Sequence, residues 1–156
     1  MTLAELNALP EAEAEAALLS CCGSRAFART VAAGRPYASF AALAAAIEAE
    51  FAVLSWSDVL EAMAEHPRIG DRVSGQSAAE QAGVRDASRA ALIAGSVEYE
   101  ERFGHVFLIC AAGLSGEEML GCLRERLTSD PCAERAVATA ELLKITVLRA
   151  RKLAGA

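Results

Sequence analysis

The chain has 156 residues, the size of one domain, and 54% of them are hydrophobic but only 5% aromatic. Much of the hydrophobic fraction is alanine, the best helix former and a poor β residue, so the composition predicts packed helices rather than a sheet. The formal net charge of -6 argues against a nucleic-acid partner, because binding phosphates needs clustered Lys and Arg. A small anionic ligand is still compatible with it, since a local pocket can be positive on an acidic protein.

The cysteine and histidine content argues against a metal site. The five cysteines include no CxxC pair, and only two histidines are present to complete a zinc site. We therefore expect reduced thiols and no metal site. The acidic start lacks the basic region of a signal peptide, and no apolar run is long enough to cross a bilayer. These features predict a cytoplasmic protein that does not bind membranes.

Helix start and stop signals recur through the first half of the chain. Thr2 and Glu5 have capping-box spacing in a helix that ends before Pro10, and Pro10 can open a second helix that stops at Gly23. A helix that begins near residue 57 cannot pass Pro67. The predicted helices of this half begin near Thr2, Pro10, Ser24, Ser39 and Ser57, and the fourth extends to Leu54.

The second half begins with a predicted loop from Arg68 to Gly75. A short helix over Ser77–Ala82 and a long one over Asp86–Phe103 follow, and the last two helices are predicted from capping signals. Those signals are Ser115 with Glu118, before a helix through Leu127, and Asp130-Pro131, before a helix that reaches about Lys152. The sequence thus predicts an all-α fold, residues 1–156 forming a single-domain bundle of about eight helices.

One apolar run, Val106 to Cys110, does not fit the helical pattern. Its propensity favours a buried strand. Because a lone strand has no ladder partner, we favour a buried extended or irregularly helical segment. Its backbone groups then need other partners, and a ligand is one candidate.

His66 stands directly before Pro67, where the preceding helix should end. The negative end of a helix dipole favours a protonated imidazole, and a histidine exchanges its proton near neutral pH. A C-capping histidine without a catalytic role is the alternative. The other histidine, His105, follows Gly104 in a predicted turn and is expected at the surface.

Ser77, Glu80 and Gln81 lie on one predicted helical turn. Ser77 and Glu80 have capping-box spacing, so a purely structural role is one interpretation. In the functional interpretation, the hydroxyl of Ser77, the carboxylate of Glu80 and the carboxamide of Gln81 face a pocket. In the last helix, Arg149 continues the apolar stripe of Ala138, Leu142 and Ile145; it either reaches solvent or needs an anionic or carbonyl partner.

Taken in order, these segments resemble the signature of the 2-oxo-4-hydroxy-4-carboxy-5-ureidoimidazoline (OHCU) decarboxylase family. Each piece is weak alone, but the ordered set spans essentially the whole chain. The pieces are His66-Pro67-Arg68-Ile69-Gly70, Ser77-x-x-Glu80-Gln81, Tyr99-x-x-Arg102-Phe103-Gly104 with Phe107 to Ala111, and Glu141-Leu142-x-Lys144-Ile145-x-x-Leu148-Arg149.

The resemblance implies a helical, commonly homodimeric enzyme without a cofactor, which acts on a small molecule. The family converts the last unstable intermediate of urate oxidation into (S)-allantoin and carbon dioxide. The resemblance implies that His66 is the catalytic histidine, and the chemistry suggests Glu80 as a second catalytic group. The implied substrate contacts are Pro67, Ser77, Glu80, Gln81, the backbone of Phe107, Leu108, Ile109, Cys110 and Ala111, and Arg149.

Two other functions fit the same sequence. One is a helical interaction module, and the other is a fold that binds a related ureido compound without turning it over. His66, Glu80 and Arg149 favour the enzyme, since an interaction module has no reason to direct all three towards one cavity. The sequence leaves open which group protonates the product.

Overall fold

The computed structural model of the protein describes residues 1–68 and 86–156. These residues form eight helices and no strand, which confirms the all-α prediction for the described part of the chain. The helices are α1 (Leu3–Ala8), α2 (Glu11–Leu19), α3 (Arg25–Ala33), α4 (Phe40–Phe51), α5 (Trp56–Ala64), α6 (Asp86–Phe103), α7 (Gly116–Arg126) and α8 (Pro131–Leu153). The predicted short helix over residues 77–82 lies outside the described residues.

Side-chain caps begin most of these helices where the sequence predicts them. Thr2 and Glu5 form a reciprocal capping box at α1. Ser24 and Ser39 accept a bond from the third backbone N–H of α3 and α4, at 3.2 Å in both cases. The Asp130 carboxylate accepts from Cys132 N–H at 2.9 Å, which satisfies one free donor at the start of α8.

The predicted cap of α5 was wrong by two residues. Ser55, and not Ser57, begins the helix: its Oγ accepts from Asp58 N–H at 3.1 Å and donates to the Asp58 carboxylate at 2.8 Å. Three residues after Ser57 stands Leu60, which cannot return a hydrogen bond. The paired acceptor therefore decides which serine caps the helix.

The described residues divide into two compact units. The first consists of Met1–Ala62 with Leu142–Ala156, and the second of Met63–Glu141. The division falls inside α5 and inside α8. The single-domain organisation over residues 1–156 stays a prediction.

Apolar faces of α1 to α4 supply much of the core of the first unit. Leu6, Leu18 and Leu43 are fully buried, and the Phe27 ring meets Phe51 edge to face with centroids 5.8 Å apart. Arg35 adds hydrogen bonds to this packing: its Nη1 donates to Leu6 O at 2.8 Å and to Leu9 O at 2.7 Å. These bonds satisfy carbonyls at the C-terminal end of α1.

The core of the second unit lies between α6, α7 and the chain that joins them. Gly95 of α6 lets the helix approach Leu123 closely, since an added Cβ would stand 2.5 Å from Leu123 Cδ2. Val106 to Cys110 form neither helix nor strand, in agreement with the prediction of a buried irregular segment. The buried members of this core are Leu92, Tyr99, Phe107, Ile109, Met119 and Leu123.

No single helix in the described ranges is long and apolar enough to cross a bilayer. α4 and α5 satisfy the length and composition requirement only when taken together, and they are bent by 116° relative to each other.

Two helical glycines provide a test of the α6–α7 packing. Gly121 of α7 has open space where a Cβ would stand. We expect Gly121→Ala to raise the free energy of unfolding by about 0.5–1 kcal/mol, because alanine loses less backbone entropy. Gly95→Ala should instead lower it by about 1 kcal/mol or more, because the fully buried Leu123 cannot yield without strain. Urea denaturation of both variants measures the difference, and equal stabilisation by both would contradict the packing.

Candidate functional site

His66 lies just beyond the C-terminus of α5, as the sequence predicts. Its backbone N–H donates to Met63 O at 3.0 Å and closes a tight turn after Ala64. Pro67 follows, and both residues are half-buried. The helix ends here because proline disfavours the α conformation in the residue before it. The imidazole is therefore carried on a short turn that one helix and one proline define.

Arg68 ties the end of this turn to α6. Its Nε donates to Glu100 Oε1 at 2.6 Å, and its Nη2 donates to Glu100 Oε2 at 2.7 Å. The pair is bidentate, the geometry that gives an arginine–carboxylate contact its directionality. The Arg68 side chain is 60% exposed, so the pair adds little to global stability. Its effect is to fix the position of Arg68, two residues after His66.

Three backbone groups of the segment from Phe107 to Ala111 have hydrogen bonds among the described residues, and one of them is Ala111 O, which accepts from Leu114 N–H at 3.0 Å. Leu108 O accepts from Arg126 Nη1 at 2.6 Å, and Cys110 N–H donates to the Glu141 carboxylate at 3.1 Å. Phe107, Leu108 and Ile109 are buried, whereas Cys110 and Ala111 are half-buried. Two charged side chains thus take the place of the ladder partners that a lone segment lacks.

Arg126 belongs to a buried polar cluster with Glu134 and Tyr99. Its Nε donates to Glu134 Oε1 at 2.6 Å, and the Tyr99 hydroxyl donates to the same oxygen at 2.5 Å. The guanidinium also lies over the Phe107 ring, with its carbon 4.6 Å from the ring centroid. Glu134 is fully buried, and its second oxygen, Oε2, has no hydrogen-bond partner among the residues that the structure describes.

Because the charges in this cluster are buried, its stability depends on the presence of all of its members. Burial, and then the hydrogen bond to Glu134, raise the pKa of the Tyr99 phenol, so Tyr99 remains a donor. Arg126 is only 8% exposed, and its charge is compensated by Glu134. Removing one member of a buried ion pair costs about 3–5 kcal/mol, because the other charge stays buried without compensation.

Arg149 lies in the first unit and is half-buried, at the edge of the buried face of α8. Its neighbour on the predicted stripe, Leu148, is exposed. Burial raises the pKa of the Cys21 thiol to about 11, and the positive charge of Arg149 opposes that rise. Arg149 therefore stands near two buried thiols, Cys21 and Cys22.

Part of the predicted site lies outside the residues that the structure describes. Ser77, Glu80 and Gln81 fall between the described ranges 1–68 and 86–156, so their roles stay predictions. In those ranges, no group of three or more His, Cys, Asp or Glu side chains is arranged to hold a metal ion. The surface prediction for His105 is only partly correct, because its ring is half-buried against Tyr99, with centroids 5.5 Å apart.

Sequence reasoning missed the supporting roles of Arg126, Glu134 and Glu141, although Glu141 belongs to a piece that carries the family resemblance. One signal was present, because Glu134 precedes Ala138 and Leu142 at four-residue spacing on the buried stripe of α8. A carboxylate on such a stripe needs a cation partner. Arg126, at the end of α7 and only a short turn before α8, is the candidate that this spacing would have indicated.

These features define the class of protein. It is an all-α protein that has a histidine before a proline at a helix end and, in the same compact unit, a buried segment without regular structure. The sequence model of the OHCU decarboxylase family matches residues 7–151. The chain therefore belongs to the OHCU decarboxylase family.

Known proteins agree with this assignment. A crystal structure of OHCU decarboxylase in the presence of (S)-allantoin is 36% identical, with a TM-score of 0.77, and the match covers 88% of this chain and 96% of that one. A crystal structure of (S)-allantoin synthase shares the fold at 21% identity and a TM-score of 0.74, over 98% of this chain and 54% of that one.

Two curated relatives are longer than the part that matches. The uric acid degradation bifunctional protein TTL of Arabidopsis thaliana is 35% identical over 145 residues, which cover 85% of this chain and 45% of that protein. The 2-oxo-4-hydroxy-4-carboxy-5-ureidoimidazoline decarboxylase of Amia calva is 46% identical over 54 residues, 35% of this chain and 31% of that protein. The matched regions thus span less than half the length of either relative.

The Arg68–Glu100 pair yields a prediction about His66 itself. Glu100→Gln removes the charge and one acceptor of the bidentate pair, so the turn that carries His66 should shift. We expect the imidazole signals of His66 to move in NMR spectra, while stability changes by less than about 1 kcal/mol. Glu101→Gln, the same change at the exposed neighbouring residue, is the control and should leave the signals in place. Unchanged His66 signals in Glu100→Gln would show that the pair does not position the turn.

Proposed function

We propose that this chain catalyses the decarboxylation of 2-oxo-4-hydroxy-4-carboxy-5-ureidoimidazoline to (S)-allantoin and carbon dioxide. The likeness to a solved OHCU decarboxylase over nearly the whole of that enzyme carries the proposal. The placement of His66 at the end of α5, before Pro67, supports it, because the resemblance assigns the catalytic histidine to this position.

The substrate provides its own electron sink. When the bond between C4 and the carboxylate breaks, its electron pair forms a double bond between C4 and C5, and the imine pair moves to nitrogen. That nitrogen takes up one proton, which gives an enol. C5 then takes up a second proton while the C4 hydroxyl releases its own and becomes the carbonyl of the product, so the reaction consumes one proton overall. Because the ring accepts the electrons, the reaction needs neither pyridoxal nor thiamine.

The proposed roles of the residues follow the charges that develop in this reaction. His66, when protonated, hydrogen-bonds the reacting region and supplies or relays a proton. Glu80 accepts a hydrogen bond from the C4 hydroxyl and raises electron density at that carbon. Gln81 and backbone groups of Phe107 to Ala111 bind the ring and ureido amides, while Pro67 and Ser77 line the site.

Arg149 is proposed to bind a ring or ureido carbonyl rather than the departing carboxylate. A tight pair with the carboxylate would stabilise the ground state more than the transition state, and this would slow the reaction. A carbonyl gains negative charge as the electron pair moves into the ring. An arginine on that oxygen therefore stabilises the transition state selectively.

The assembly and location of the protein are parts of the same proposal. The family resemblance supports a homodimer, and a cytoplasmic location completes the proposal. Size-exclusion chromatography with light scattering measures the first of these directly.

The decisive experiment supplies freshly generated intermediate and follows the chirality of the allantoin formed by circular dichroism. We expect His66→Asn to abolish the accelerated appearance of (S)-allantoin with its far-ultraviolet spectrum unchanged, because asparagine cannot transfer the proton. Glu65→Gln, which alters the exposed neighbour and keeps the imidazole, should retain turnover. Near-normal turnover in His66→Asn would refute the central role of His66, and racemic product from the unmodified protein would refute the proposed activity.

Glu80→Gln separates a capping role from a catalytic one. Glutamine also serves in a capping box, so stability should change by less than about 1 kcal/mol. Turnover should fall by roughly a hundredfold or more, because the carboxylate acceptor is lost with little change in shape. Wild-type turnover in this variant would assign Glu80 a structural role only.

A further inference from the structure

The segment from Phe107 to Ala111 depends on side chains for its shape. It is part of no helix or strand, and yet Phe107, Leu108 and Ile109 are buried. Two of its backbone groups bond charged side chains: Leu108 O accepts from Arg126, and Cys110 N–H donates to Glu141. At the end of the segment, Ala111 O accepts from Leu114 N–H. Contacts that hold the Arg126 and Glu141 side chains in place therefore also hold the backbone of the segment between Leu108 O and Cys110 N–H.

Arg126 is held on several sides. Its Nε donates to Glu134 Oε1 at 2.6 Å, its Nη2 lies 3.4 Å from the Tyr99 hydroxyl, and its plane covers the Phe107 ring. A guanidinium presents its donors in a rigid planar fork. With Nε fixed by Glu134, the direction in which Nη1 meets Leu108 O is fixed as well. A lysine in the same place would supply a single ammonium group and could not reproduce this fork.

Stability alone does not account for a charge pair at this position. Buried ion pairs are often no more stabilising than well-packed apolar side chains of similar volume, and some of them serve to specify one conformation. Here the pair is joined directly to the carbonyl of an irregular segment. Its most direct consequence is a single position for that carbonyl and for the peptide groups that follow it.

We propose that Arg126 is a positioning residue, which acts through Leu108 O to align the backbone of Ile109, Cys110 and Ala111 for the substrate. This inference rests on the proposed function for its ligand, although not for its geometry. Glu134 and Tyr99 orient Arg126, and Glu141 holds the segment from the Cys110 side. Arg126 itself does not touch the reacting atoms.

The test replaces Arg126 by lysine and uses Arg102→Lys as a matched control. Arg102 also donates to a backbone carbonyl, Ser129 O at 3.0 Å, and also lies over an aromatic ring, but it is exposed and bonded away from the segment. Both substitutions keep the positive charge and remove the planar guanidinium with its fixed set of donors. The measurements are KM and kcat with fresh intermediate, and the hydrogen-exchange rates of the Ile109 and Cys110 amides in the protein without ligand.

We expect Arg126→Lys to raise KM by about tenfold and to change kcat by less than about threefold, the pattern of lost binding alignment. Exchange at Ile109 and Cys110 should quicken by about tenfold, while Arg102→Lys matches the unmodified protein in both respects. A folded Arg126→Lys with ordinary KM and ordinary exchange overturns the proposal. Equal effects of the two lysine variants overturn it as well.

A second variant covers a failure to fold. Tyr99→Phe/Arg126→Met/Glu134→Met removes every polar group of the cluster and leaves an apolar core, a replacement that buried ion pairs often tolerate. It should fold and show the same rise in KM and in exchange; an unfolded triple variant would mean that the cluster serves the core only, and would overturn the proposal. If the unmodified protein produces no (S)-allantoin, the proposed function fails, and the exchange rates alone then decide the role of Arg126.

Discussion

The hydrogen-bonding requirement of one buried segment organises the second unit of this protein. Val106 to Cys110 lie outside the helices that the structure describes, and a buried peptide group without a partner costs about as much as a lost hydrogen bond. Arg126 meets this requirement at Leu108 O, but a buried guanidinium needs its own counter-charge. Glu134 supplies that charge and Tyr99 donates to it. Three helices, α6, α7 and α8, are thereby joined to one carbonyl.

The turn that carries His66 follows a different principle. Its geometry is local, because a helix end, a proline and one backbone bond to Met63 determine it within four residues. The Arg68–Glu100 pair then connects it to a distant part of the chain. A local turn is specified reliably by a short sequence, whereas a network such as that of Arg126 depends on residues drawn from several elements.

This difference explains what the sequence could predict. Caps at Thr2, Ser24 and Asp130 were correct because acceptor and donor lie within three residues of each other. The prediction of Ser57 as the cap of α5 was wrong, because the carboxylate that makes the reciprocal bond, Asp58, stands three residues after Ser55. The Arg126–Glu134 pair was missed because no single helix contains it. His66 was located correctly at its helix end, whereas its chemistry rested on family resemblance, since spacing cannot distinguish a capping imidazole from a catalytic one.

The pairing of the arginines bears on how such a site can handle an anionic substrate. Arg126 is bonded to Glu134 and Arg68 to Glu100, so each of these positive charges already has a carboxylate partner. Charges compensated in this way add directionality but little net attraction for a second anion. The proposed decarboxylation would gain from that arrangement, because an unopposed cation at the carboxylate would stabilise the substrate before carbon dioxide leaves. In the proposed mechanism, Arg126 accordingly shapes the backbone of the segment from Phe107 to Ala111 and does not bind the leaving group.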